Sequence, residues 1–310
     1  MGNNNKKLDR YKGCLKGLAI GDVLGAPFEF LTQAKVEALL QKNVELDIEK
    51  NSQLGSKLPV GFYTDDTSQM ICLAESLLEK GFDIDDQFKK YKDWYLNGYA
   101  TPNGDKSFGI GQQTLKKLLK DTPEMNASEE EWAGGNGGLM RCAPIALYYQ
   151  GDYSSITEKS ILSCRLTHNN KIAESSCVIL NILISLIIDG VELKNLLPEL
   201  KKLLSTETID VMQGVLNIDY LKYPKYLYPI SGYSLDTLRI AIWALFNASD
   251  FDDAMKKVIR LGADTDTFGA VTGALLGAYY GYDEIPEKWK QEISNYKHIN
   301  QLANDLYERK

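Results

Sequence analysis

Two short oxygen-rich segments of this chain share one order of residues. Gly61-Phe62-Tyr63-Thr64-Asp65-Asp66-Thr67 leads into the apolar run 70–73, and Gly262-Ala263-Asp264-Thr265-Asp266-Thr267 leads into the apolar run 270–276. Each sets carboxylates and hydroxyls at a helix start. Thr and Asp are favoured there because they satisfy free backbone N–H groups and suit the positive end of the helix dipole. A cap needs one good acceptor, whereas two carboxylates with neighbouring hydroxyls repel one another, and neither segment contains Lys or Arg. A bound cation relieves that repulsion. No Cys/His cluster accompanies the segments, which disfavours zinc; carboxylates and Thr hydroxyls are hard donors suited to Mg²⁺, Mn²⁺ or Ca²⁺. The calcium loop of the EF-hand fits neither segment. Six oxygen-bearing side chains from two remote segments exceed what a single Mg²⁺ recruits. The expected arrangement is two ions about 3.5–4 Å apart that share a carboxylate.

Two glycine-rich loops add a second chemistry. Gly134-Gly135-Asn136-Gly137-Gly138 runs through Leu139-Met140-Arg141 into the segment 142–147, and Ser107-Phe108-Gly109-Ile110-Gly111 precedes another helical stretch. Exposed N–H groups at such turns bind anions. Neither matches the P-loop or the dinucleotide fingerprint, but beside a metal centre they suggest a phosphate-bearing ligand. His168 opens the segment that becomes the apolar run 178–188, where a lone His more often caps or packs than catalyses. Tyr233, in Ser231-Gly232-Tyr233-Ser234, is an aromatic on which a base can stack, although it is one of 18 tyrosines. Glu29, among Pro27, Phe28 and Phe30, is an acid in apolar company and needs a partner; a metal would serve.

The elements that must hold these residues read as helices. Leu73/Leu77/Leu78, Phe88/Tyr91/Tyr95, Leu115/Leu118/Leu119 and Leu238/Ile242/Leu245 recur at three or four residues, Gly81 and Gly190 follow long apolar segments, and Ser128 with Glu130 and Glu131 signals a further start. An all-α fold follows, with residues 9–310 as one domain behind a flexible tail, 1–8. Gly13, Gly17, Gly21 and Gly25, and again Gly269, Gly273, Gly277 and Gly281, give two helices a strip free of side chains. Gly in a helix interior costs roughly 1 kcal/mol relative to Ala, so both helices are expected at the bundle centre, where another backbone approaches closely. The net charge of −7 lacks the positive field that nucleic acid or an anionic membrane requires. Cys14, Cys72, Cys142, Cys164 and Cys177 are odd in number, without a CxxC, and read as reduced core residues of a cytoplasmic protein. No signal peptide is read at the N-terminus, and the run 178–188 is too short to span a bilayer. It is expected as a helix buried all round.

The ordered set Gly17-Leu18-Ala19-Ile20-Gly21-Asp22, Tyr63-Thr64-Asp65-Asp66-Thr67, Gly135-Asn136-Gly137-Gly138-Leu139-Met140-Arg141 and Gly262-Ala263-Asp264-Thr265-Asp266-Thr267 resembles the ADP-ribosylglycohydrolases across nearly the whole chain. The resemblance implies an all-α orthogonal bundle with a central cleft holding two Mg²⁺ or Mn²⁺ ions. It implies Thr64, Asp65 and Asp66 as ligands of one ion, Asp264 and Thr267 as ligands of the other, and Asp266 as the bridge. Glu29 matches a glutamate near the second ion that is associated with substrate gating, and His168 a histidine lining the cleft. Ser107, Gly109 and Gly111, with Asn136, Gly137 and Gly138, match the places that hold diphosphate and distal ribose, and Tyr233 lies near the adenine. The implied reaction cleaves the C1″ glycosidic bond of ADP-ribose on a modified side chain, arginine preferred, with Asp65 and Glu29 as catalytic candidates. Alternatives are an inactive ADP-ribose-binding or structural relative and a metal-dependent nucleotide phosphohydrolase. The expected partner is an ADP-ribosylated protein or small molecule, met by a monomer. Some members, including nitrogenase-regulating enzymes, carry an aspartate where this chain has Gly109, which points away from a nitrogenase-type role.

Overall fold

Backbone contact between two glycine strips decides how this molecule is centred. The computed structural model describes residues 2–40, 46–55, 58–126, 134–221 and 232–309. Helices make up 67% of it, and the described residues contain no strand, which gives the expected all-α fold. The helices that frame it are α1 (Gly2–Gly25), α2 (Asp65–Lys80), α3 (Ile84–Asn97), α4 (Ala143–Tyr148), α5 (Tyr153–Arg165), α6 (Lys171–Ile188), α7 (Ser234–Asn247), α8 (Phe251–Ile259), α9 (Thr265–Tyr280) and α10 (Tyr296–Glu308).

Helices α1 and α9 lie antiparallel in direct backbone contact. A methyl group at Gly17 would sit 2.1 Å from the Gly273 carbonyl oxygen, one at Gly21 1.9 Å from that of Gly269, and one at Gly13 2.1 Å from that of Gly277. Side chains are sterically forbidden along this seam, so the cost of glycine in a helix is offset by interhelical contact. Position 25 meets Thr265 in the same register, and the Thr265 hydroxyl donates to the Gly25 carbonyl at 2.8 Å. The end of α1 is thereby brought to the start of α9.

Around this pair the apolar core is continuous, with α6 packed against α4, α5, α7 and α9. By length and composition Lys171–Ile188 is apolar enough to cross a membrane, but 89% of it is buried within the fold. Its polar interruption is satisfied there, because Asn181 donates to Ser160 at 2.8 Å. A second apolar cluster, including Phe88, Tyr91 and Trp94 of α3, lies under α2. All five cysteines are buried and free.

One expectation is corrected. Part of the tail read over 1–8 is helical, because α1 starts at Gly2 and its first turns have tertiary partners. Lys7 pairs with Asp189 at 3.1 Å, and the Asn4 carbonyl accepts from the Tyr307 hydroxyl at 3.1 Å. The helix start read at Ser128, Glu130 and Glu131 lies outside the described residues.

Candidate metal centre and ligand cleft

The antiparallel seam sets four acidic elements around one spot: Asp22 near the end of α1, Glu29 just beyond it, and the starts of α2 and α9. Neither Thr64 nor Asp264, the residues at the two helix entrances, caps its own helix with its side chain. The start of α2 is capped instead from α1. Asp22, fully buried, accepts the Thr64 N–H at 3.0 Å, the Thr64 hydroxyl at 3.0 Å, the Thr67 N–H at 3.0 Å and the Thr67 hydroxyl at 2.6 Å. Asp65 and Asp66, on the first turn of α2, are thus freed from capping and held by a backbone that Asp22 anchors.

At the other entrance, Asn136 donates its amide to Asp264 Oδ2 at 2.7 Å and is itself fixed to Thr237 at 3.0 Å. Glu29, Asp264 and Asp266 each offer an oxygen within 4.8 Å of the others, a spacing that suits a shared cation. Among the described residues no Lys or Arg pairs with any of these carboxylates. Burial raises the pKa of Asp65, Asp66 and Asp266 well above the carboxylate range, and neighbouring carboxylates push in the same direction. Burial first, then Asp264 and Asp22, pushes Glu29 up to about 7; burial takes Asp22 to about 6. Without positive charge, this cluster resists full ionisation.

The donor set fits a divalent cation on two observations. Asp66 Oδ1 is buried with no hydrogen-bond partner, and a cation in this acidic cluster would give it one. The Thr64 hydroxyl lies 3.0 Å from Asp22 Oδ1 and 3.1 Å from Asp66 Oδ2, yet it has one proton for the two. Thr64, Asp65, Asp66, Asp264, Asp266 and Thr267 supply oxygen only, the donor type for Mg²⁺ or Mn²⁺.

A cleft of about 730 Å³ opens over this cluster. Asp65, Glu29, Asp264, Asp266 and Thr267 form its acidic end, while Gly109, Gly111, Asn136, Gly137 and His168 line its walls. Gly109 adopts φ +85°, and a methyl group there would meet Asp65 Oδ1 at 2.5 Å, so the loop lies directly on Asp65. The glycines of the second loop make room for His168: a methyl at Gly137 would sit 2.6 Å from its Cε1, and one at Gly135 3.1 Å from its Nε2. Burial and the nearby Arg141 push His168 down to about 3, so the ring is neutral.

Other expected site residues stand behind the wall. The Ser107 hydroxyl donates to the Tyr95 carbonyl at 2.9 Å and ties its loop to α3. Gly138 faces α5, where a methyl would lie 2.6 Å from Cys164 Sγ. Tyr233 pairs with Gly135 in an isolated antiparallel bridge, and its ring packs beside Gly134; it therefore braces the glycine loop. Thr64 and Asp66 are buried beneath the cleft floor.

Several residues of the site escaped the sequence reading. Asp22 was one; an acid embedded in a glycine strip was its available signal. Gln69 and Thr167, which with Arg141 link the two walls from behind, had none beyond lying near the motifs, and Arg141 ends the motif at 135–141 without being read as a site residue. Phe30 is 74% exposed at the cleft mouth with φ +61°, and its N–H donates to the Ala263 carbonyl at 2.7 Å. Ala263 also has a positive φ, +64°, and donates to the Leu31 carbonyl at 2.8 Å. Two non-glycine residues in this conformation couple the Glu29 loop to the entrance of α9, a form of strain common at functional sites.

Comparison with known proteins gives a family and a fold. The sequence pattern of the ADP-ribosylglycohydrolase family matches residues 3–310. The chain is 31% identical to the ADP-ribosylarginine hydrolase Tri1 of Serratia proteamaculans (strain 568), covering 98% of this chain and 80% of that protein. It is 30% identical to the ADP-ribosylarginine hydrolase Tri1 of Pseudomonas putida (strain GB-1), covering 97% of this chain and 79% of that one. A solved structure described as an ADP-ribosylglycohydrolase-related protein complex superposes with a TM-score of 0.81 at 32% identity, covering 98% of this chain and 99% of that one.

Proposed function

Because the chain belongs to the ADP-ribosylglycohydrolase family, we propose that it hydrolyses the C1″ glycosidic bond between ADP-ribose and a modified side chain, with arginine as acceptor. The observation that carries this reading is the meeting of two remote oxygen clusters at one end of a cleft whose walls are glycine loops. The similarity to two proteins named ADP-ribosylarginine hydrolase supports the acceptor.

In this reading Thr64, Asp65, Asp66 and Asp266 would hold one divalent ion, and Asp264, Asp266 and Thr267 would hold the other. When bound, Mg²⁺ or Mn²⁺ supplies a Lewis acid for the ribose hydroxyls and lowers the pKa of water. The chain's own residues do the rest. Backbone N–H groups at 109–111 and at Gly135 and Gly137 hold the diphosphate and distal ribose, while the Asn136 N–H is spent on the Gly232 carbonyl at 2.9 Å, and His168 Nε2 faces the same space. Asn136 aims Asp264, and Asp22 aims the first turn of α2. Asp65, on the cleft surface beside Gly109, passes a proton to the departing guanidine, with Gln69 behind it as amide donor at 3.4 Å. Glu29 closes the acidic end at the mouth. An aspartate at position 109 would place its Cβ against the Asp65 carboxylate, which glycine avoids.

The test is product analysis on ADP-ribosylated arginine, serine and glutamate substrates, each with and without EDTA. Free ADP-ribose from the arginine substrate, abolished by EDTA, is expected. Release of AMP would mean phosphohydrolysis, and full turnover in excess EDTA would sink the dinuclear reading.

A further inference from the structure

We propose that Arg141 is a positioning residue that sets what both walls of the cleft present: through Gln69 it turns an amide N–H toward Asp65, and through Thr167 it makes His168 a hydrogen-bond donor from Nε2. The part of this inference that concerns a ligand rests on the reading that the cleft takes ADP-ribose.

Arg141 is 1% exposed, and its guanidinium lies 4.3 Å from the Tyr91 ring centroid. It donates from Nη1 to Gln69 Oε1 and from Nη2 to Thr167 Oγ1, the latter at 2.6 Å. A guanidinium has donors and no acceptor. It therefore selects the oxygen of the Gln69 amide, and the remaining nitrogen, Nε2, faces Asp65 Oδ2 at 3.4 Å. Gln69 cannot flip without setting its NH₂ against N–H groups of Arg141.

The same logic runs along the other arm. Thr167 Oγ1 accepts from Arg141 and lies 2.8 Å from His168 Nδ1. Its one proton has no place toward Arg141, so it goes to Nδ1. An Nδ1 that accepts carries no proton, and the neutral ring then bears its hydrogen on Nε2. The opposite tautomer would strand the hydroxyl proton of a fully buried Thr167, which has no other acceptor among the described hydrogen bonds. A buried donor without a partner is disfavoured. Nε2 faces the bare α-carbons of Gly135 and Gly137 and the cleft. His168 therefore offers a donor to a phosphate or ribose oxygen and has no lone pair there with which to act as a base.

The chain has two histidines, and His298 is paired with Glu75 at a partly exposed position. Nitrogen NMR of labelled histidine on the metal-loaded protein therefore resolves two rings, with His298→Gln as the assignment control. The expected result is an Nε2–H tautomer at His168. Thr167→Val and Arg141→Lys should both disturb it, the first by removing the donor to Nδ1 and the second because an ammonium cannot span Gln69 and Thr167. Thr167→Ser should retain it. ADP-ribose affinity by calorimetry should fall roughly tenfold in Thr167→Val, the size of one lost hydrogen bond, and stay near wild type in Thr167→Ser. An Nδ1–H tautomer in the wild type overturns the inference whether or not any variant folds. So does a Thr167→Val protein with tautomer and affinity unchanged, and an unchanged tautomer in Arg141→Lys removes Arg141 from the relay. Failure of the wild type to bind ADP-ribose would count against the proposed function instead, because the tautomer is read without ligand.

Discussion

The two oxygen-rich helix entrances are written alike and do different work. At the start of α2, Asp22 takes up the N–H groups and hydroxyls of Thr64 and Thr67, so much of that segment faces inward. At the start of α9, Asp264, Asp266 and Thr267 line the cleft, and outside support comes from Asn136. Thr67 and Thr267 close the two motifs at equivalent places, yet the first is a buried anchor and the second a cleft residue. A repeated motif therefore names the donors without their directions. Direction is set by what packs behind each entrance: a buried carboxylate behind α2, an amide behind α9.

The largest expected effects lie at the open entrance and the floor beside it. Asp266→Asn should cost more than roughly 10⁴-fold in kcat, beyond the usual range for losing a general acid, because it weakens both ion sites at once. Single-turnover release of ADP-ribose measures this, and near-normal turnover would show that the bridge lies elsewhere. Asp65→Asn should cost roughly 10²–10⁴-fold in kcat while ADP-ribose affinity by calorimetry stays within about tenfold. Loss of metal along with turnover would make Asp65 a ligand alone.

At the sealed entrance, Asp22→Asn replaces an acceptor of four donor groups with a side chain that has one acceptor oxygen. Metal affinity should fall roughly 10–100-fold, as for other supports of metal ligands, with a lower Tm. Unchanged metal titration would break the contrast between the entrances. The threonine pair sharpens it. Thr67→Val should lower stability by about 1–3 kcal/mol in denaturant titrations with kcat nearly kept, whereas Thr267→Val should leave stability nearly intact and reduce turnover.

The smallest effect is a pH dependence of the metal-free protein. Burial raises Asp22 to about 6 and Glu29 to about 7 in the folded state, and it raises Asp65, Asp66 and Asp266 in the same direction. The folded state then binds more protons than the unfolded one, so stability falls as pH rises from the ordinary carboxylate range through about 7. Tm in EDTA should therefore be higher near pH 5 than near pH 8, and Mg²⁺ or Mn²⁺ should reduce or reverse the difference. A Tm in EDTA that rises across this interval would mean that the carboxylates are compensated without metal.

Much of the site was legible because its residues announce their chemistry locally. Asp65, Asp264, Asp266, Gly109 and Gly137 all reach the cleft. Ser107, Gly138 and Tyr233 were legible as loop residues but not as supports, because a glycine or hydroxyl near a motif carries no mark of which way it points. Gly138 is bare to admit Cys164 and Gly137 to admit His168, two uses of one residue type in adjacent positions.

By itself the sequence determined the helical class, the oxygen-only donor set and the need for close backbone packing at two glycine strips. These depend on residue type and on spacing within a few turns. Only the tertiary structure decided that the two strips meet each other, antiparallel and in the register that joins the Gly25 carbonyl to the hydroxyl of Thr265, 240 residues away. That register places Asp22 behind one entrance and Glu29 before the other. Its physical basis is steric: hydrogen at seven α-carbons lets two helices touch, and the burial around them, which no local window encodes, selects the pairing.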